Sequence, residues 1–132
     1  MIIVDTSVWV DFLDGTENSQ TKHLSESLKS EIPIFYTGLI LQEVLQGMHS
    51  KKQQTLIKKE FRKLLLVTPS IEDHIKGAEI FTHCRRKGFT IRKSIDCLIS
   101  ALCMNFNLSL LDRDKDFSYI EECFPLSRIC HG

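Results

Sequence analysis

The stretch Ile2–Gly15, IIVDTSVWVDFLDG, constrains this chain more than any other. Ile2-Ile3-Val4 is a β-branched run, long enough for a buried strand and too short for a helix. Asp5 ends it, and Thr6 and Ser7, both good helix N-caps, follow at once. The apolar period then changes: Val8, Phe12 and Leu13 share one side of a helix, Asp11 and Asp14 the other, and Gly15 closes the segment. Asp5 therefore stands where a strand hands over to a helix, at the carboxyl edge of a sheet. Open α/β sheets bind their ligands at that edge. A plain N-cap would use the same residue.

The rest of the chain repeats the alternation. A polar helix over 16–30 carries Leu24 and Leu28 as its apolar stripe. Ile32–Tyr36 reads as a second strand, and Thr37 as the cap of an apolar helix, LILQEVLQGM, in which Glu43 has Leu39, Ile40, Gln46 and Gly47 at helical spacing. A basic helix, KKQQTLIKKEFRK, leads into Leu64–Val67. Ser70 and Asp73 form a capping box for a helix through Ile71, Ile75, Ala78 and Phe81 that stops at Gly88. A helix from Ser94 has Ile95, Leu98, Ile99 and Leu102 on its core face. Asp96 lies in its first turn, where an acid complements the helix dipole. Leu108–Leu111 is a short strand running into DRDKDF, 117–123 a last helix, and 126–129 a candidate edge strand. This order predicts a three-layer α/β/α domain with a mostly parallel central sheet of four to five strands, one domain spanning 1–132.

With 17 basic and 17 acidic residues the net charge is zero, so no global field attracts nucleic acid or membrane. A nucleic-acid contact must come from local clustering, and Arg85, Arg86, Lys87, Arg92 and Lys93 provide one beside Asp96. The same cations also suit a helix end, where they complement the negative dipole. The basic stretch 51–63 reads as a solvated face and Trp9 as core. No apolar run approaches the ~18 residues of a membrane span. Cys84, Cys97, Cys103, Cys123 and Cys130 form an odd set without a CxxC pair, which suits reduced thiols in a cytoplasm.

Four places put an acid beside apolar structure: Asp5, Glu43, Asp96 and the DRDKD cluster (Asp112, Asp114, Asp116). Asp11, Asp14, Asp73, Glu121 and Glu122 read instead as solvated. Gathered in one pocket, four carboxylates disfavour joint ionisation unless a divalent cation offsets them. An all-oxygen set suits Mg²⁺ or Mn²⁺ rather than zinc. Hydrolysis of a phosphodiester by a metal-activated water is the chemistry that best fits such a pocket.

On IIVDTSVWVDFLDG, LILQEVLQG, RRKGFTIRKSIDCLISALC and LLDRDKDF, in that order and spacing, the chain resembles the PIN-domain family, and specifically the VapC-type toxins of toxin–antitoxin pairs. The resemblance implies a Mg²⁺- or Mn²⁺-dependent endoribonuclease that leaves 5′-phosphate and 3′-hydroxyl ends. It also implies a homodimer held inactive by a VapB-like antitoxin, with DNA contacted only through that antitoxin. By the same resemblance Asp5, Asp96 and Asp114 hold the metal and Glu43 orients or deprotonates the attacking water. Thr6 supports the first acid and Asp116 is accessory, with Asp112 the alternative fourth acid. A PIN fold that binds RNA or a partner without cutting is the competing function, favoured by loss of an acid, and all four are present. A phosphoacceptor domain needs an acid pair after the first strand, and a haloacid-dehalogenase-type phosphatase needs Asp-x-Asp there. Val4-Asp5-Thr6-Ser7 supplies neither.

Overall fold

The computed structural model describes residues 1–129. Cys130, and with it the end of the expected 1–132 domain, lies outside the described residues. Ile2–Val4 forms strand β1, Ile34–Tyr36 β2, Leu65–Leu66 β3 and Ser109–Leu111 β4. They make a parallel sheet in the order β3-β2-β1-β4. Among the described residues seven helices flank it: α1 (Thr6–Leu13), α2 (Ser19–Lys29), α3 (Gly38–Gln46), α4 (Lys51–Phe61), α5 (Ile71–Arg86), α6 (Ser94–Phe106) and α7 (Asp116–Cys123). Helices α1 to α4 pack among themselves, and so do α5, α6 and α7, which gives the expected three layers.

The central strand explains why this sequence closes as it does. Ile2, Ile3 and Val4 are all buried, because β1 has neighbours on both sides and helices on both faces. Val4 pairs with Leu111, so the residues that follow them, Asp5 and Asp112, leave the sheet together at its carboxyl edge. The Asp5 N–H donates to the Leu111 carbonyl at 2.9 Å, prolonging the ladder by one bond. The expected edge strand over 126–129 is reduced to one bridge between Leu110 and Arg128, flanked by hydrogen bonds from Leu110 N to Ser127 O and from Ile129 N to Leu110 O.

Two helices depart from their expected form. Helix α2 starts at Ser19 rather than Thr16, because Asn18 and Thr21 close a reciprocal capping box there. Helix α5 has its Ser70–Asp73 box as expected, but its buried side is Asp73, Gly77, Ile80 and Cys84. Ile71 and Ile75, two of the apolar residues that mark this helix in the sequence, are 74% and 48% exposed. Gly77 accounts for the rotation. A Cβ there would lie 3.4 Å from the Leu98 Cα and N, so α5 meets the backbone of α6 through the glycine face. Asp73, read as solvated, is buried: it caps Ser70 and accepts from Asn105 Nδ2 at 3.0 Å. Asp11 is likewise engaged, 2.6 Å from Arg113 Nε.

Asp112 is fully buried and takes a two-pronged contact from Arg128, Nε to Oδ2 at 2.9 Å and Nη2 to Oδ1 at 2.7 Å. This fork ties the chain after α7 back to the end of β4. Removing one partner of a buried pair leaves the other charge uncompensated. Arg128→Met should therefore cost about 3 kcal/mol of unfolding free energy in urea denaturation. A loss no larger than that of an exposed-site control, such as Lys59→Met, would contradict the structural role given to this pair.

Candidate metal centre

Several elements deliver the acids of the edge. Asp5 is the N-cap of α1 and accepts from Ser7 twice, from the backbone N–H at 3.3 Å and from Oγ at 2.6 Å. An Asp whose side chain bonds the backbone two residues on is a recognisable turn signal, so Asp5-Thr6-Ser7 could have announced Ser7 as its partner. Thr6, expected to support Asp5, donates through Oγ1 instead to Glu43 Oε1 at 2.9 Å, tying α3 to the start of α1, and the support of Asp5 falls to Ser7. Glu43 is half-buried, as its apolar helix led us to expect. Asp96 enters in the first turn of α6 and is 1% exposed.

Asp114 and Asp116 bracket the turn into α7. Asp114 Oδ1 accepts from the Asp116 N–H at 3.0 Å and from Arg92 Nη2 at 2.9 Å. Asp116 Oδ2 accepts from both the backbone N–H and the Nε of Arg92, each at 3.0 Å. Lys93 Nζ stands 3.8 Å from Asp114 Oδ2.

Asp96, Asp114 and Asp116 each offer an oxygen within 4.8 Å of the others'. That trio contains two of the three expected ligands and replaces Asp5 with Asp116. Asp5 still adjoins the trio electrostatically, since its charge is one of the causes that raise the Asp96 pKa. Asp112 is committed to Arg128, which separates it from the ligand trio. The five cations expected at RNA also divide. Arg92 and Lys93 face the acids, whereas Arg85, Arg86 and Lys87 are exposed at the end of α5, with Arg85 over the Phe81 ring at 5.4 Å.

The electrostatics suit a cation. The Asp96 carboxylate receives no hydrogen bond among the described residues, and its Oδ2 is buried without a partner. Such an atom carries the full desolvation penalty unless something else satisfies it. Burial, then the charge of Asp5, pushes the Asp96 carboxyl up to about 7, against the pull of Lys93. Burial also raises Asp5 above the usual carboxylate range, opposed by its bonds from Ser7. A hard divalent ion fits this donor set: oxygens throughout, one of them orphaned on Asp96, which burial has made reluctant to ionise alone.

A parallel three-layer sheet with acids at its carboxyl edge defines an α/β class of protein whose site lies at the strand ends. The PIN-domain family model matches residues 2–122, and a VapC ribonuclease of Mycobacterium bovis is 32% identical over 123 residues, 91% of each chain. The chain belongs to the PIN-domain family, among its VapC-type members. The fold is shared with VapBC2 from Rickettsia felis, solved with a DNA fragment from its promoter, at a TM-score of 0.75 and 21% identity over 98% of both chains. It is shared also with FitAcB from Neisseria gonorrhoeae, at 0.69 and 17%, covering 98% of this chain and 97% of that one.

The raised Asp96 pKa has a sign that can be measured. The folded protein holds the proton more tightly than the unfolded chain, whose value is near 3.8. Stability from this group is therefore complete below about 3.8 and is lost as pH rises through about 7. Without metal, the melting temperature of the wild type should fall relative to Asp96→Asn between pH 5 and pH 8. Added Mg²⁺ should restore the wild type alone. A difference that stays flat with pH would contradict the burial argument.

Proposed function

We propose that the chain is a divalent-metal-dependent endoribonuclease, acting as the toxin of a toxin–antitoxin pair through a single PIN domain. The observation that carries this reading is Asp96: a buried carboxylate with no hydrogen bond from the described residues, its pKa raised to about 7, among oxygens of Asp114 and Asp116. Its VapC relative is named a ribonuclease, which supports RNA as the substrate. No acid of the family pattern is missing, which disfavours a binding module that does not cut.

Asp96, Asp114 and Asp116 would hold Mg²⁺ or Mn²⁺, with Asp5 beside them. The chemistry such an ion supplies is a lowered pKa for the attacking water and stabilisation of charge on the leaving oxygen. Glu43, held by the Thr6 hydroxyl, would orient the attacking water and accept its proton. The exposed Arg85, Arg86 and Lys87 grip the RNA backbone beside the acids.

The partner is an antitoxin, a reading supported by a structural relative from Klebsiella pneumoniae that is itself a toxin–antitoxin complex. An apolar groove of about 680 Å³ that includes Trp9, Phe12, Leu28, Ile57 and Phe61 offers it a seat away from the acids. A homodimer would cover Leu39, Ile71 and Ile75, which are exposed in the single chain. Action in the cytoplasm fits the family, and no helix among the described residues is long and apolar enough to cross a membrane.

Purified protein should cut structured RNA with Mg²⁺ or Mn²⁺ and stop with EDTA. Asp5→Asn and Asp96→Asn should each lower cleavage by at least about a hundredfold, the scale at which a single electrostatic contributor to catalysis acts, while circular dichroism shows a folded chain. Cleavage kept by both folded variants would refute the nuclease assignment.

A further inference from the structure

Of the four hydrogen bonds that Asp114 and Asp116 accept from the described residues, two come from backbone N–H groups and the other two from one side chain. Arg92 donates from Nη2 to Asp114 and from both Nε and its own backbone N–H to Asp116. It lies four residues before Asp96, in the segment that leads into α6, whereas both acids belong to the entry into α7. Its guanidinium therefore joins the two chain segments that deliver the trio. The bonds use one oxygen of each acid, Asp114 Oδ1 and Asp116 Oδ2. The other oxygen of each receives no hydrogen bond from the described residues, and Lys93 Nζ lies 3.8 Å from Asp114 Oδ2. Contact with Arg92 and contact with an ion are thus compatible.

We propose that Arg92 is a positioning residue for the cation site, a fork that assembles Asp114 and Asp116 beside Asp96 before any ion arrives. This rests on the metal-site reading above and adds to it the part that sets affinity. Three carboxylates whose oxygens lie within 4.8 Å repel one another, and Asp96 and Asp116 are buried whereas Asp114 is only partly so. Without the fork, Asp114, the more exposed of the two, would be freer to turn toward water, and binding an ion would first have to bring it back to Asp116 and Asp96. A planar guanidinium can hold two carboxylates in one fixed geometry, which a lysine ammonium cannot. Groups that orient metal ligands typically change affinity by about 10- to 100-fold when replaced. Arg92 is accordingly committed to the acids, and the RNA backbone is left to Arg85, Arg86 and Lys87.

The test is calorimetric titration of Mn²⁺ into wild type, Arg92→Gln, Arg92→Lys and Asp96→Asn, with the fold and melting temperature of each recorded first. Both Arg92 variants should bind Mn²⁺ at least about tenfold more weakly while remaining folded at the titration temperature. If Arg92 acted only as a positive charge competing with the ion, Arg92→Gln would bind more tightly and Arg92→Lys would match the wild type. That pattern overturns the proposal. A lowered melting temperature with unchanged Mn²⁺ affinity also overturns it, since Arg92 would then be merely structural. If the wild type binds no Mn²⁺, or Asp96→Asn binds it equally well, the metal-site reading falls first and takes the proposal with it. Weakening in both Arg92 variants, with loss of binding in Asp96→Asn, supports both.

Discussion

Negative charges brought close together in a poorly solvated place repel, and the architecture of this chain revolves around that repulsion. The parallel pairing of β1 with β4 sends Asp5 and Asp112 out of the sheet side by side. The first turn of α6 and the entry into α7 then add Asp96, Asp114 and Asp116 at the same edge. Like charges at such distances favour protonation of some members or recruitment of positive charge. Each acid meets that demand in its own way, and the differences divide scaffold from site.

Asp112 is neutralised by the Arg128 fork, inside the protein and by the protein itself. Asp5 is solvated by Ser7 in place of water. Asp114 and Asp116 share Arg92, whose guanidinium is largely exposed and spans both. Asp96 receives nothing comparable. Lys93 reaches it only through space, and burial pushes its carboxyl up to about 7. A fully satisfied acid holds a fold together, whereas an unsatisfied one among others is a place built for something that comes and goes. Burial forms the floor of the site, and the arginine fork forms one wall.

The sequence is informative about this protein wherever chemistry is local. The β-branched run before Asp5, the Ser70–Asp73 box and Thr37 as the cap of α3 each involve neighbours in the chain, and each reads correctly. The acids at the ends of strands and at the start of α6 are visible for the same reason. Which face of α5 is buried was not visible, because the small Gly77 decides it through close approach to α6, and a hydrophobic count favours Ile71 and Ile75 instead. The partners of the acids were also hidden. Arg128 lies 16 residues beyond Asp112, and Arg92 precedes Asp114 and Asp116 by 22 and 24. A cluster of cations reads as a nucleic-acid grip, and only the fold shows that Arg92 and Lys93 also stand against the acids of the edge. The exchange of Asp5 for Asp116 within the closest trio depends on the turn into α7, where an alternation of aspartates gives no cue to which of them points to Asp96.

The central claim is that Asp96, Asp114 and Asp116 together hold one divalent ion. Anomalous diffraction at the manganese edge, from crystals grown with Mn²⁺, addresses it most directly. A strong anomalous peak within coordination distance of oxygens from all three side chains is the expected result. A well-ordered edge with no peak between these side chains, or with Asp96 turned away from the other two, would contradict it.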